Sequence, residues 1–454
     1  MRGKLWKEGL DNIFRLDGIS VPPNSTLYVK IPVAPPGLKI FSEHSSALKR
    51  RAIGGRPSGG RILTDFGPAL GTYNRFCSRC RPIGVEFERS FMFLLRLAGL
   101  IATLLFTSIV ANSQSSLPVS PDTAGLSDTR LRALGAAIRS GEFKNIGSVL
   151  VARHGKLVYE AYFDGDAATL RDTRSATKSI TDVLVGIALD EHKLSGVDAK
   201  ILALLPERAR KIENPDPRKF EITVEDFLTM SSPLECDDWN DASRGNEERM
   251  YVVEDWAQFI LDLPIRGRMH VGEKIAPPPY GRYFSYCTGG VFTLSEVLEK
   301  VTGEHTDRYA REKLFEPLGI KNVEWAYSPM NVPQTGGGLR MNSRDLLKIA
   351  QLYLNGGVWE GKRIVSASWV KASTSPHAQI DDATEYGYLW WLKSFKAGEK
   401  SYPAFFMSGN GGNKVVAIPS LDMAVVITST NYNTHGMHEQ TEKILTDYVL
   451  AAVE

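Results

Sequence analysis

Cysteine is scarce in this chain: four in 454 residues. Two of them, Cys77 and Cys80, form a lone C-x-x-C with no further ligands at matching spacing, so no zinc site is expected there. Charge of one sign is also lacking. The formal net charge is +2, and no basic stripe offers a surface for nucleic acid. No internal repeat runs through the chain. Long hydrophobic runs are nearly absent. The one that stands out, Leu97–Val110, is short for a membrane span, which needs roughly 20 residues. No lipobox cysteine follows it, which argues against a lipoprotein.

The small net charge hides an asymmetry. Residues 1–91 carry 15 Lys/Arg against 7 Asp/Glu, whereas residues 114–454 carry 38 against 45. The first 91 residues scatter Pro, Gly and Arg without periodicity and are expected to be a disordered, non-native upstream extension. Met92-Phe93-Leu94-Leu95-Arg96, the apolar run and Ala111-Asn112-Ser113 have the form of a secretory signal, giving a signal peptide at 92–113. Met92 is then the expected natural start and the mature protein periplasmic or secreted. Membrane association enters only if the 92–113 segment is retained as an anchor. A Ser/Pro linker at 114–125 leads to one domain at 126–454.

Within that domain, Ser127-Asp128 can cap a helix carrying Leu131, Leu134 and Ile138. Ser148–Arg153 and Lys156–Phe163 read as strands joined by a tight turn at His154-Gly155. Residues 195–330 mix helices and long loops. Helices are predicted over Val224–Met230, Glu254–Leu263 and Phe292–Thr302, and from the Asn342/Asp345 capping pair to Leu354. The last hundred residues turn strand-like, at Tyr386–Leu392, Ala404–Met407, Lys414–Ile418 and Met423–Thr428, before a final helix with Ile444, Leu445, Val449 and Leu450. The expected fold class is α+β: an antiparallel sheet built from both ends of the domain, flanked by helices, with a mostly helical insertion at about 195–330.

The chemistry gathers at Ser175-Ala176-Thr177-Lys178. From Ile180 the apolar residues Ile180, Val183, Leu184, Ile187 and Ala188 follow helical spacing. Three residues is nearly one turn, so the Ser175 hydroxyl and the Lys178 amine leave the helix on the same side. A serine becomes a nucleophile when a neighbouring base takes its proton, and a lysine can be that base if burial lowers its pKa. Two further stretches are Phe284-Ser285-Tyr286-Cys287-Thr288 and Met407-Ser408-Gly409-Asn410.

In this order the three motifs resemble the serine β-lactamase and penicillin-binding protein superfamily, most closely its class C-like hydrolases, over roughly residues 125–454. Asp226–Ser232, Leu314–Ile320 and Gly336–Leu339 are further landmarks of the resemblance. It implies a β-lactamase-like fold with Ser175 as the acylated nucleophile. Lys178 and Tyr286 become the proton-transfer pair, with the base between them left open. The backbone N–H groups of Ser175 and Asn410 form the oxyanion hole, and Thr288, Ser408 and Gly409 line the substrate site. It implies no metal and no cofactor, and a small-molecule amide or ester as the partner.

Two departures bear on the substrate. Thr288 stands where asparagine is usual, and Met407 stands where a lysine would hold a substrate carboxylate. Losing that cation points away from β-lactams and peptides with a free carboxylate. It points toward the esterases and amidases of this fold, such as those resembling 6-aminohexanoate-dimer hydrolase. A D,D-peptidase, a weak β-lactamase and a non-turnover penicillin-recognising sensor are the alternatives. Asp237 and Asp238 read as loop structure or pocket rim, and Tyr386, Tyr388, Trp390 and Trp391 as core and pocket wall. Once residues 1–113 are removed, Cys236 and Cys287 are the only cysteines left, either bonded to each other in an oxidising compartment or two separate thiols.

Overall fold

The computed structural model describes residues 118–267 and 278–454. The expected upstream extension and signal peptide lie outside the described residues. Among those described, no helix is long and apolar enough to cross a membrane.

The domain is built on an eight-stranded antiparallel sheet. Its strands are β1 (Ile146–Arg153), β2 (Lys156–Tyr162), β3 (Ala378–Asp381), β4 (Thr384–Tyr386), β5 (Trp391–Ala397), β6 (Lys400–Gly409), β7 (Asn413–Ile418) and β8 (Met423–Ser429). They lie in the order β2-β1-β8-β7-β6-β5-β4-β3, so the first strand pairs with the last and both ends of the domain close one sheet. The β1–β2 hairpin turns at His154 and Gly155, both at positive φ, as a tight two-residue turn requires.

β1 and β8 are near-continuous apolar runs because both their faces are covered. Val149, Val151, Val425 and Ile427 pack under α1 (Asp128–Ser140) and the C-terminal helical segment. Leu150, Ala152, Ala424 and Val426 face the other core, which holds α2 (Thr177–Asp190), α3 (Thr288–Thr302) and α4 (Ser343–Leu354). α2 is buried along nearly its whole length, from Thr177 to Ala188. It lies against α3 on one side and β6 on the other. A helix with no solvent face is held rigidly, which suits the element that carries Lys178 and is entered directly after Ser175.

Three sequence expectations change. The strand read over Tyr386–Leu392 is broken between β4 and β5. Leu389 turns at φ +60, its N–H donates to the Leu228 carbonyl, and its own carbonyl accepts from Ser179 Oγ. That loop is pulled off the sheet to dock on α2, a tertiary contact that aromatic-rich spacing cannot reveal. The helix read from Phe292 begins at Thr288, so the Tyr286 motif abuts its first turn. The end of the Ser/Pro stretch also lies against the body: Val119 N–H donates to the Leu157 carbonyl, and Arg153 Nη1 holds the carbonyls of Ala124 and Gly125.

Candidate active site

The chain enters α2 through a sharp corner. Arg174 adopts φ +49, a left-handed conformation that costs a non-glycine residue about 1–2 kcal/mol. The Asp172 carboxylate holds the corner, accepting from the Arg174 N–H at 3.0 Å and pairing with its guanidinium at 3.0 Å. The corner places Ser175 in a single 3-10 turn directly before α2.

One helical turn on, Lys178 is 1% exposed and has three acceptors around its amine. Nζ lies 3.0 Å from Ser175 Oγ and 3.0 Å from Thr288 Oγ1, and donates to the Gly336 carbonyl at 2.5 Å. A neutral amine has two N–H donors and one lone pair. Thr288 and Gly336 can take the two donors, leaving the lone pair for the Ser175 proton. Burial pulls the Lys178 ammonium down to about 8, opposed by the negative charges of Glu247 and Asp238. Tyr286 moves the other way. Burial pushes its phenol far above the ordinary value, helped by Glu247 and Asp238 and resisted by the Ser175 hydroxyl. Its ring centroid lies 4.9 Å from Lys178 Nζ.

The segment carrying Tyr286 is tied down on both sides. Ser285 donates through N–H to the Met230 carbonyl and through Oγ to the Cys236 carbonyl, each at 2.7 Å. The Tyr286 carbonyl accepts from the Asp238 N–H at 2.8 Å. The Thr288 N–H donates to Asp238 Oδ2 at 2.6 Å. The Cys236 and Cys287 sulfurs are bonded, with Cα atoms 5.4 Å apart. Cys287 is also the N-cap residue of α3, its sulfur accepting from the Gly290 N–H.

The third motif closes the site from the sheet. A Cβ on Gly409 would lie 2.2 Å from the Thr173 carbonyl oxygen, so β6 reaches the nucleophile corner only because residue 409 has no side chain. Asn410 follows at the strand end, its side-chain oxygen accepting from the Asn433 N–H. Ser408 shares a strand face with Phe406, whose direct partner on β5 is Trp391. Met407, on the opposite face, is fully buried and offers nothing to a substrate carboxylate. The glycine run closes the floor, where a Cβ on Gly336 would meet Thr288 Cγ2 at 2.7 Å. Among the described residues, no group of His, Cys, Asp and Glu could hold a metal ion.

A family model described as Beta-lactamase matches residues 133–448. The chain belongs to the Beta-lactamase family. It is similar to 6-aminohexanoate-dimer hydrolase of Paenarthrobacter ureafaciens, 26% identical over 329 residues, which span 66% of this chain and 76% of that protein. Among solved structures it is similar to a putative 6-aminohexanoate-dimer hydrolase from Bacillus anthracis, with TM-score 0.53, 19% identity and coverage of 67% of this chain and 78% of that one. It is also similar to EstCE1, a hydrolase with promiscuous acyltransferase activity, with TM-score 0.54, 15% identity and coverage of 70% and 97%. At such identities the structural likeness is one of fold.

In this β-lactamase-family hydrolase the sequence-predicted residues Ser175, Lys178, Tyr286 and Thr288 stand together, with the Ser408–Asn410 strand end beside them. Sequence reasoning gave Asp238 too small a part. It is a partly buried carboxylate that caps the N–H groups of Thr288 and Glu247, and burial and the Glu247 charge raise its pKa. The signal available was its position two residues from Cys236, which the bond to Cys287 places beside Tyr286. The neighbouring Trp239, in the same stretch, stacks its ring on Tyr286.

Proposed function

We propose that this protein is a metal-independent serine hydrolase that cleaves an amide or ester bond through an acyl-Ser175 intermediate. The observation that carries the reading is the buried Lys178 amine, 3.0 Å from Ser175 Oγ with a pKa brought down to about 8. In the neutral form Lys178 takes the Ser175 proton as Oγ attacks the carbonyl carbon. The oxyanion forms within reach of the Ser175 and Asn410 N–H groups. Tyr286, held neutral by burial, is suited to donate a proton to the leaving nitrogen or oxygen. The proton on Lys178 then passes to the tyrosinate, which resets both groups, and water attacks the acyl-serine with Lys178 taking its proton and returning it to Ser175 as the acyl group leaves.

The buried Met407 favours substrates without a recognised carboxylate over β-lactams and peptidoglycan peptides. The bonded sulfurs of Cys236 and Cys287 favour an exported protein, in line with the signal-like segment at 92–113. The test is labelling with a fluorophosphonate, then turnover of a short-chain nitrophenyl ester and its amide counterpart. Labelling with turnover is expected. Labelling without turnover would make the protein a sensor, and neither would remove the hydrolase reading.

A further inference from the structure

Trp239 keeps 59% of its surface exposed, although it sits beside the most buried part of the site. An indole left in water forgoes burial that folding would otherwise reward. This one is nevertheless firmly placed. Its ring lies parallel to Tyr286, with centroids 5.3 Å apart and planes 7° from each other. It leans on Phe284 at 5.6 Å and Trp391 at 6.3 Å. The Trp239 backbone N–H donates to Asp237 Oδ1 at 3.0 Å, the Asp238 N–H holds the Tyr286 carbonyl, and Cys236 is bonded to Cys287. The surface is therefore organised before any ligand arrives.

The charged groups around it are already engaged. Asp238 accepts from the N–H groups of Thr288 and Glu247, Asp237 from Trp239 itself, and Glu247 from the Tyr251 hydroxyl. The recognition surface left beside the reacting atoms is aromatic, and rings prefer parallel or tilted contact with other rings.

We propose that Trp239, with Phe284 and Trp391, forms a subsite for a neutral planar aromatic group of the substrate, and that Trp239 is the residue that sets this preference. The inference rests on the reading of Ser175 as the nucleophile, because Tyr286 links the two. Stacking of this kind contributes about two- to tenfold in affinity.

The test separates the two readings by measuring binding without turnover. Full-length Ser175→Ala protein is titrated calorimetrically with N-butylbenzamide, N-phenylhexanamide, N-butylhexanamide and a trimethylammonium-bearing butyl amide. At least one aryl amide should bind about two- to tenfold tighter than N-butylhexanamide. Adding Trp239→Ala should erase that preference, and Trp239→Phe should retain most of it. Equal binding of aryl and alkyl amides, no binding of any amide, a preference that survives Trp239→Ala, or tightest binding of the cationic amide would each overturn the proposal. A wild-type protein that hydrolyses nothing would sink the acyl-serine reading and leave this binding result standing.

Discussion

Lys178 points its amine at Ser175, with Nζ and Oγ 3.0 Å apart, from a helix that is buried almost throughout. The 3-10 turn running into the helix fixes the pair's spacing, and burial sets the lysine's proton affinity.

The first consequence is a pH profile. Burial lowers the Lys178 pKa to about 8, so below that pH the amine is protonated and cannot take the serine proton. kcat/KM on a neutral ester should rise through about pH 8 and then level, since the Tyr286 phenol titrates far higher. A profile flat from pH 6 to 9 would contradict Lys178 as base.

Asp238 offers a signed perturbation of that profile. Its negative charge raises the Lys178 pKa against the larger effect of burial. Asp238→Asn removes the charge while keeping an oxygen for the Thr288 N–H. The ascending limb should therefore move to lower pH. A move to higher pH, measured on the same ester, would show that Asp238 acts on the site by another route.

Gly409→Ala tests the approach of the sheet to the nucleophile corner. The added methyl would stand 2.2 Å from the Thr173 oxygen, so β6 and the corner must separate. Misplacement of this order is expected to lower kcat by about 10²-fold, while overpacking costs only about 1–3 kcal/mol of stability. A fully active Gly409→Ala protein would mean that the strand end does not serve the reaction.

The sulfur bridge should matter chiefly to stability. Cys236 and Cys287 are 51 residues apart, and a loop of that length gives roughly 2–4 kcal/mol. Replacing both by serine keeps an N-cap oxygen for α3. Denaturant unfolding should show the loss, and an unchanged midpoint would count against the bridge.

Much of the sheet was legible because β1 and β8 carry near-continuous apolar runs and β1 is followed by a turn of unmistakable chemistry at His154-Gly155. Lys178 beside Ser175 was legible for a local reason, a spacing of three residues across the 3-10 turn and the first turn of α2. What local pattern could not show were the contacts made at a distance. Leu389 breaks a strand to reach α2. Asp182, inside an apolar helical run, is buried with the Tyr353 hydroxyl, the Trp390 indole N–H and the Ser373 hydroxyl donating to its carboxylate, and burial lifts its pKa to about 7. Nothing within four residues of Asp182 signals those partners, which lie 171, 208 and 191 positions away. The same holds for Asp238, whose partner Thr288 is 50 residues distant.

The most direct measurement is acid quenching during turnover of 4-nitrophenyl acetate, followed by peptide mass spectrometry. An acetyl group is expected on Ser175, absent from Ser175→Ala, with formation slowed about 10²–10⁴-fold in Lys178→Ala. Sustained turnover with Ser175 unmodified, or undiminished turnover in Ser175→Ala, would contradict Ser175 as the nucleophile.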